Sequence, residues 1–578
     1  MLKRLIASFA GRRNAQPRPA EQAAQLWQKR DLAGAERLFR EALAQEPASS
    51  ENYSNLGLVV WEQHRFQEAA GLLTRAVELD PSNTTARLNL ANAFIIGNQM
   101  ELGIAHYREV LRTDPGNAKA HANLLKPLLD TCDWEGAAGE VAYLVERWRK
   151  NAQDEIALRI APFTSLLVPF PGELRKAIAD SHARRVQERV AHFARPARPD
   201  RPARDRLRIA YVSGDFHDHA VGHLTAGLLE AHDRDAVEVF GYSFGIDDGS
   251  DYRKRLIGAF DSFVDIRNCT HIEAAQRIAS DGIDVLVDRK GYTAESRPEI
   301  FALRVAPVQV NFLGYPGSMG TGFMDYIVAD KVILPDSEVQ WFGEKVAWMP
   351  ASYQANDNRQ PISDAPLRRV EFGLPEQGIV FCSFNKHYKI ERELFDCWMR
   401  ILAAVPGSVL WLLGGPGVKT LQNRAGDAGI DPQRIVFCGK LRKPEHLARH
   451  RLADIFLDTH YVNGHTTTSD ALWAGVPALT WPGPSFAGRV AESLLRAVGL
   501  PELVATDLDG YERAAVELAR NPARLAALRE KLAANRLTTP LFDTQGYARA
   551  LESAYRTMWE RHVRCEPPAH FGVDAPVR

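Results

Sequence analysis

Hydroxyl and amide groups gather at the predicted start of one helix. The segment YVNGHTTTSDALWAGVP turns at Asn463 and Gly464, and the threonines at 466–468 open a helix. Free backbone N–H groups, hydroxyls and the helix dipole at such a start favour phosphate binding. One turn further on, Asp470 can accept hydrogen bonds from sugar hydroxyls. A threonine-rich helix cap without a ligand gives the same pattern, so this segment alone leaves both interpretations open.

Basic side chains follow two other predicted strands. Lys389 comes just after the apolar run IVFCSF, where its charge could neutralise a pyrophosphate leaving group. Lys386 could do the same or be solvated. In KLRKPEHLAR, Lys443, His446 and Arg449 are spaced three apart and share one helical face. A ring and a guanidinium there could stack on a nucleobase and bond to it, and a solvated basic face is the alternative.

Three histidines and an aspartate follow the first predicted strand. The segment SGDFHDHAVGHL contains Asp215, His217, His219 and His223. Their H-x-H-x3-H spacing is not that of a familiar zinc site, and no carboxylate-rich cluster accompanies it, so we predict no metal. A histidine with a near-neutral pKa that faces a cleft can instead orient or deprotonate an attacking hydroxyl.

A glycine-rich turn, LGYPGSMG at 313–320, follows another predicted strand. Missing side chains let the backbone approach a ligand closely, and a tight loop that needs glycine for its φ angles gives the same pattern. Neither G-x-G-x-x-G nor a Walker motif occurs. The classes of dinucleotide-binding proteins and P-loop NTPases therefore lack their fingerprints.

These segments follow short apolar runs that alternate with helix-like stretches. The first series of runs lies at 207–213, 237–243, 283–288 and 307–313. After a loop near 352–368, the second lies at 379–384, 409–414, 434–439, 454–458 and 478–483. This alternation predicts parallel sheets with crossover helices, hence two doubly wound domains. Ligands of such sheets bind at the carboxyl ends of the strands, here in the cleft between the domains.

The N-terminal part of the chain repeats every 34 residues. Pro47, Pro81 and Pro115 each follow an acidic residue at that spacing, and a small and a bulky residue recur in the same register. This is the tetratricopeptide pattern of paired helices. Stacked pairs form a superhelix whose concave wall can hold an extended peptide. Bracing of another domain or self-association is the alternative use of such an array.

Composition limits the class of protein. The chain has 578 residues, Lys+Arg 71 against Asp+Glu 72 and a formal net charge of -1. That balance gives no general electrostatic reason to bind nucleic acid or a membrane face. The 6 cysteines form no C-x-x-C pair, which favours a reducing, cytoplasmic setting. No segment approaches the roughly 20 uninterrupted apolar residues of a membrane-spanning helix.

From these patterns we predict six segments. They are a disordered tail at 1–20, tetratricopeptide repeats at 21–130, degenerate helical repeats that cap the array at 131–193, a Pro/Arg-rich connector at 194–206, a first Rossmann-like lobe at 207–365 and a second lobe at 366–578.

The repeats together with RIAYVSGDFHDHAVGHL, FNKHYKI, KPEHLARHRLADIFLDT and NGHTTTSDALWAGVP resemble the O-linked N-acetylglucosamine transferase family in its compact bacterial form. The resemblance implies an α + α/β chain, a tetratricopeptide superhelix followed by a GT-B pair of Rossmann-like domains. It implies inverting transfer of N-acetylglucosamine from UDP-N-acetylglucosamine to Ser or Thr hydroxyls of proteins, without metal or cofactor. The acceptor protein would lie along the repeat groove, and a homo-oligomer is compatible with it.

The resemblance also implies roles for the residues at the strand ends. It implies that the leaving diphosphate is bound by Lys389, His465, Thr466 and Thr467, and uracil by His446 and Arg449. It implies likewise that ribose is bound by Lys443 and Asp470, and the sugar by the loop of Leu313, Gly314 and Pro316. His219 matches the family's active-site histidine, proposed as base or as acceptor-orienting group. His219 and Lys389 are thus the implied catalytic pair.

The chain departs from the animal enzymes at two positions. Lys386 stands where they have a glutamine, and Ser262 is the counterpart we assign to a second histidine near the sugar. Two other functions compete with the expected one. SPINDLY-type protein O-fucosyltransferases share the architecture and use GDP-fucose, although the NGHTTT histidine and the KPEH segment favour a UDP sugar. A peptide-binding scaffold without catalysis is the second.

Overall fold

The computed structural model describes residues 18–199 and 206–575. Residues 1–17 of the predicted tail and 200–205 of the predicted connector lie outside these ranges. The chain divides into two compact units. One comprises Met1–Glu140 with Glu155–Ala157, and the other comprises Val141–Asp154 with Leu158–Arg578.

The first unit consists of helix pairs. Its helices are α1 (Pro19–Gln28), α2 (Leu32–Gln45), α3 (Ser50–Glu62), α4 (Phe66–Leu79), α5 (Thr84–Ile96), α6 (Met100–Thr113) and α7 (Ala118–Asp130), and the boundary at residue 140 falls within α8 (Trp134–Lys150).

Local chemistry repeats with the 34-residue period of the first unit. Ser49, Asn83 and Asn117 each cap the helix that follows, because each side chain accepts a hydrogen bond from the backbone N–H three residues on. The recurring small and bulky residues are buried: Ala35, Ala69 and Gly103, and Phe39, Leu73 and Tyr107. Small residues let helices cross closely while bulky ones fill the core, so the predicted tetratricopeptide array is confirmed.

The second unit contains an eight-stranded sheet whose strand pairs are all parallel. Its strands are β1 (Leu207–Ser213), β2 (Val237–Ser243), β3 (Ser262–Asp265), β4 (Val285–Asp288), β5 (Val308–Asn311), β6 (Tyr326–Ala329), β7 (Lys345–Trp348) and β13 (Phe571–Gly572). Their order across the sheet is β13, β7, β6, β5, β4, β1, β2, β3. The four predicted runs are β1, β2, β4 and β5.

A five-stranded parallel sheet follows in the chain. Its strands are β8 (Val380–Ser383), β9 (Val409–Leu413), β10 (Ile435–Cys438), β11 (Ile455–Leu457) and β12 (Ala478–Leu479). They lie in the order β10, β9, β8, β11, β12, and all five correspond to predicted runs. We call the eight-stranded sheet with its helices the first lobe and the five-stranded one the second lobe.

Helices precede and connect these strands. They are α9 (Pro162–Ser165), α10 (Gly172–Val190), α11 (Ala220–Ala231), α12 (Asp251–Gly258), α13 (His271–Ser280), α14 (Pro298–Ala302), α15 (Arg392–Ala404), α16 (Val418–Asp427), α17 (Lys443–His450), α18 (Thr466–Trp473), α19 (Val490–Ala497), α20 (Leu508–Arg520), α21 (Pro522–Asn535) and α22 (Thr544–Val563). No helix among the described residues is long and apolar enough to span a bilayer.

Two predicted boundaries are wrong. We placed 131–193 in the repeat array, but α10 packs against α14 and Asp180 accepts hydrogen bonds from Thr321, which joins it to the first lobe. We placed 366–578 in the second lobe, but α22 packs on α11 and β13 pairs with β7. In each case the segment packs against elements that are distant in sequence, which sequence order does not reveal.

Candidate active site

Each sheet has one point where the strand order reverses. In the first sheet β1 lies between β2 and β4, and in the second β8 lies between β9 and β11. The crossover connections leave these neighbours in opposite directions, which opens a crevice at the carboxyl ends of β1 and β4 and of β8 and β11. The segments that carry Lys389, His465 and His219 begin at these strand ends, whereas the segment at 440–449 follows β10 and the loop at 313–320 follows β5.

At the second crevice, Lys389 is held by groups from both strands. Its Nζ donates to the backbone carbonyl of Asn463 at 2.7 Å and lies 3.4 Å from Asn385 Oδ1. Thr467 Oγ1 donates to the same Asn385 oxygen at 2.8 Å. The segment after β8 and the start of α18, which follows β11, are thus joined around one cation, as a phosphate seat requires.

Buried charge surrounds this lysine. Burial lowers the pKa of Lys389, although the nearby Asp458 acts against it, and burial raises the pKa of Asp458. Asp458 Oδ1 accepts from the Gly464 backbone N–H at 2.6 Å, which fixes the turn before α18. A Cβ at Gly464 would lie 2.5 Å from Thr468 Oγ1, so the threonine side chains of α18 would have to move to admit one.

His465 precedes α18 as a neutral ring. Its Nε2 lies 3.0 Å from the Ala487 carbonyl and its Nδ1 lies 3.5 Å from the Tyr353 hydroxyl. Burial, reinforced by the Lys389 charge, lowers the pKa of His465 to about 3. Because a carbonyl only accepts, the single ring proton is on Nε2. The predicted diphosphate ligands Thr466 and Thr467 lie directly after this ring in the first turn of α18.

A second charged cluster joins α17 to α18. Lys443 Nζ donates to Asp470 Oδ1, and His446 Nε2 lies 3.5 Å from Asp470 Oδ2. Lys443 and Asp470 are 5% and 3% exposed. Burial by itself raises the pKa of Asp470, but the Lys443 charge and the His446 hydrogen bond outweigh it and hold the pKa well below its usual range. The two residues expected on ribose therefore bind each other, with His446 beside them.

Arg449 is more deeply placed than we expected. Its guanidinium is stacked over the Phe384 ring at 4.4 Å and donates to the Gly439 carbonyl at 2.7 Å. The residue is 1% exposed, and burial lowers its pKa. The guanidinium is therefore enclosed, while the neighbouring His446 ring is the more accessible of the two.

At the first crevice, His219 caps α11. Its Nδ1 accepts from the Val221 backbone N–H at 3.3 Å and lies 3.6 Å from Asp215 Oδ1. Partial burial lowers the pKa of His219. His223 Nε2 lies 2.6 Å from Asp218 Oδ1, while His217 Nδ1 is buried without a partner. The three histidines thus do not converge on one partner.

The loop after β5 has a strained start. Leu313 has φ +70° and is buried, and a Cβ at Gly314 would lie 2.0 Å from the Arg289 carbonyl oxygen. Glycine is therefore required for this close approach. Pro316 lines a cavity of about 30 Å³ together with Phe486, so the loop faces the second lobe.

Side chains of the two lobes meet around these crevices. Helix α11 packs on α18. Gln354, in the segment that connects the lobes, donates to Ser469 Oγ at 3.0 Å. Lys443 and Asp470 both influence the pKa of His223, which burial lowers to about 4. The predicted residues of both lobes thus border one cleft.

Some site residues were not predicted. Asn385 and the Asn463 carbonyl hold Lys389, Asp458 fixes the turn at Gly464, and Lys290 binds Asp215. All lie within a few residues of the carboxyl ends of β8, β11, β1 and β4, so their positions after apolar runs were the available signal. Ser262 was wrongly assigned, because it begins the edge strand β3 and is not at the carboxyl edge.

The structure shows no cluster of metal-binding side chains within residues 18–199 and 206–575. No group of three or more His, Cys, Asp or Glu side chains is placed there to hold an ion. Lys389 lies at the crevice of the second lobe and Lys290 at that of the first.

Two parallel sheets with a lysine at each switch point follow the tetratricopeptide helices in this chain. The chain belongs to glycosyl transferase family 41, whose model matches residues 131–370 and 365–551. A tetratricopeptide repeat model matches residues 54–118.

Named relatives share this organisation. The chain is 36% identical over 466 residues to a probable UDP-N-acetylglucosamine--peptide N-acetylglucosaminyltransferase SEC of Arabidopsis thaliana, covering 78% of this chain and 48% of that protein. It is 32% identical over 562 residues to the UDP-N-acetylglucosamine--peptide N-acetylglucosaminyltransferase of Caenorhabditis elegans, covering 76% and 49%. The chain spans about half the length of these relatives.

A solved structure agrees over nearly the whole chain. A lysine-to-methionine mutant of Thermobaculum terrenum O-GlcNAc transferase superposes with a TM-score of 0.69 at 30% identity, covering 95% of this chain and 98% of that one. The order of tetratricopeptide helices followed by two Rossmann-like domains is therefore shared with it.

Proposed function

We propose that the protein is an inverting glycosyltransferase that moves N-acetylglucosamine from UDP-N-acetylglucosamine to Ser or Thr hydroxyls of proteins, without a metal ion. Family membership and the names of the relatives support the reaction class. The observation that carries the proposal is Lys389, fixed between Asn385 and the Asn463 carbonyl beside the start of α18.

In this mechanism the second lobe stabilises the leaving group. When the anomeric bond breaks, negative charge grows on the UDP diphosphate. Lys389 and the free N–H groups at the start of α18 would meet that charge without prior reorganisation, because their positions are already fixed. Thr466 and Thr467 would add hydroxyl donors, and the neutral His465 would donate through Nε2 after exchanging its bond to the Ala487 carbonyl. This cationic and amide set would perform the role that a metal fills in other sites.

The nucleoside would lie over α17. His446 is the accessible ring, with Arg449 and Phe384 stacked behind it. The Lys443 and Asp470 pair would direct a carboxylate oxygen and an ammonium towards the ribose hydroxyls. Leu313, Gly314 and Pro316 would approach the sugar by their backbone, since Gly314 has no side chain to intervene.

Inversion requires the acceptor oxygen to attack opposite the leaving UDP. The first crevice faces the cleft from the other lobe, so His219 would contact the acceptor hydroxyl, either as base or as orienting group. The acceptor would be a protein segment, with the repeat groove as the surface that holds it. A cytoplasmic location is consistent with the free state of all 6 cysteines in the described residues.

The decisive experiment is calorimetry of the full chain with UDP, UDP-N-acetylglucosamine, GDP and GDP-fucose, each in EDTA and in Mg²⁺. We expect binding of the uridine series alone, unchanged by Mg²⁺. Binding restricted to the guanosine series would support fucosyl transfer instead. Loss of binding in EDTA would refute metal independence, and no binding in any arm would favour the scaffold.

Transfer itself needs a separate measurement. Purified protein, UDP-N-acetylglucosamine and a peptide library rich in Ser and Thr are incubated, and peptides are analysed by mass spectrometry for the added N-acetylhexosamine. Replacing UDP-N-acetylglucosamine by GDP-fucose is the matched control. Modification only with GDP-fucose, or hydrolysis of donor without peptide modification, would contradict the proposed acceptor chemistry.

A further inference from the structure

The crevice of the first sheet contains a charged pair from two neighbouring strands. Asp215 lies two residues after the end of β1, and Lys290 lies two residues after the end of β4. Because β1 and β4 pair in parallel, these ends are adjacent. Lys290 Nζ donates to Asp215 Oδ1 at 2.6 Å, and the two side chains are 12% and 5% exposed. Such enclosure favours one fixed geometry for the pair.

The Lys290 end of this pair is itself anchored. Asp288 Oδ1 accepts from the backbone N–H groups of Lys290 and Gly291 at 2.8 and 2.9 Å. Thr293 Oγ1 donates to the Lys290 carbonyl at 3.0 Å. The turn after β4 is therefore rigid, and Lys290 is directed at Asp215 by backbone as well as by charge.

The Asp215 oxygen that Lys290 binds is also the one that faces His219. The distance from His219 Nδ1 to Asp215 Oδ1 is 3.6 Å, too long for a hydrogen bond. Nδ1 accepts instead from the Val221 backbone N–H at 3.3 Å. A ring nitrogen that accepts carries no proton, so the neutral ring has its proton on Nε2. The His219 side chain is 41% exposed, so it is not enclosed on all sides.

We propose that Lys290 is a positioning residue that, by holding Asp215 Oδ1, keeps this carboxylate from binding His219 Nδ1 and so keeps the imidazole neutral with its proton on Nε2. The proposal rests on the proposed function and deepens it. With Nε2–H facing the substrates, His219 orients the acceptor or the sugar by donating a hydrogen bond. A carboxylate bound to Nδ1–H would instead free the Nε2 lone pair to act as base, as in a catalytic triad.

The charges around His219 agree with this assignment. Asp215 and His217 face it from its own loop, and Arg289 and Lys290 face it from the segment after β4. Partial burial lowers the pKa of His219, Asp215 raises it, and the other three lower it. Arg289 and Lys290 thus disfavour a positive charge on His219, whereas Asp215 favours it. Without Lys290, Asp215 would be free to bind the charged His219 ring.

The test is ring NMR of the full chain labelled with ¹⁵N and ¹³C histidine. The His219→Gln variant assigns the signal, and the ¹⁵N shifts report which nitrogen carries the proton. In the unsubstituted chain we expect protonated Nε2. In Lys290→Met the proton should move to Nδ1, and the titration midpoint should rise by on the order of one pH unit. Lys290→Arg should restore both values.

Two controls separate this effect from general change of charge or structure. Lys254→Met removes a lysine that is 72% exposed on α12 of the same lobe, and should leave the His219 signal unchanged. Asp215→Asn should lower the midpoint, opposite to Lys290→Met, and gives a second test if Lys290→Met does not fold. Thermal melts establish folding of each variant before titration.

An unchanged tautomer and midpoint in a folded Lys290→Met variant would overturn the proposal. Loss of UDP affinity in that variant, with no change in the His219 signal, would also overturn it and make Lys290 a donor ligand. The NMR measurement needs neither donor nor acceptor. A shifted ring signal in a protein without transferase activity would therefore support the role of Lys290 while rejecting the proposed function.

Discussion

The crevices of the two sheets differ in how completely their polar groups are partnered. In the second lobe, Lys443 and Asp470 are buried against each other, and Lys389 is held between Asn385 and a backbone carbonyl. In the first lobe, His219 is 41% exposed and shares Asp215 with Lys290 only at a distance. The groups of the second lobe are therefore already in position to bind a charged ligand, whereas the first lobe leaves the His219 side chain open to the reacting group.

The largest expected effect tests the buried pair of the second lobe. Asp470→Asn leaves the Lys443 ammonium enclosed without its carboxylate, which costs about 3–5 kcal/mol when a buried pair loses one partner. We expect a corresponding loss in the free energy of unfolding, measured by urea denaturation. Asp396→Asn, at a partly exposed ion pair of the same lobe, is the control and should cost under about 1 kcal/mol. Equal losses in both variants would contradict the comparison.

The next prediction concerns the leaving group. Lys389→Gln keeps hydrogen-bonding capacity but removes the charge, and turnover should fall roughly 10²–10³-fold, as when one preorganised donor is lost. Steady-state transfer rates at saturating donor measure it. Lys386→Gln changes an exposed lysine three residues away and should retain the rate. A full rate in Lys389→Gln would remove the electrostatic argument for the second lobe.

A third prediction concerns His219 in the first lobe. His219→Ala should lower turnover by about 10²-fold or more while UDP affinity stays within about twofold, because the ring faces the acceptor and not the nucleotide. Transfer rates and calorimetry of the same preparation decide it. An equal loss of rate and of UDP affinity would place His219 in donor binding and would erase the functional division between the lobes.

The smallest effect is a dependence of stability on pH. The pKa of His465 falls from 6.5 to about 3 in the folded protein, so the unfolded chain binds more protons between these pH values. The contribution of the His465 ring to the free energy of unfolding is therefore fully present above pH 6.5 and is lost progressively as the pH falls from 6.5 towards 3. Unfolding free energies at pH 7 and 5 should differ less in His465→Gln than in the unsubstituted chain.

An exposed histidine provides the control for this dependence of the unfolding free energy on pH. His192→Gln alters an exposed ring in the first lobe and serves as the control. A slope that changes equally in both variants would show that His465 is not a buried neutral ring. The compared quantity is the difference in unfolding free energy between pH 7 and pH 5 for each variant, because His465→Gln also loses the hydrogen bond to Ala487 at both pH values.

Much of the architecture follows from local pattern. The 34-residue period predicted the helix pairs because each pair repeats the same cap and the same small and bulky core positions. Nine apolar runs predicted nine strands of the two sheets. Strands β3, β6, β7 and β13 escaped prediction. Strands β3 and β13 lie at the two edges of the sheet, and β13 has only two residues. No α-helix precedes β6 or β7 directly, so the alternation of strands and helices is absent there.

The sequence by itself determined the class of fold and the segments that carry chemistry, because backbone periodicity and strand-end position are local properties. The tertiary structure decided which groups are partners: Lys443 with Asp470, Lys389 with Asn463, and Lys290 with Asp215. It also decided that α22 returns to the first lobe. These contacts join residues 27 to more than 300 positions apart, and their energies depend on burial and distance, which exist only once the sheets have formed.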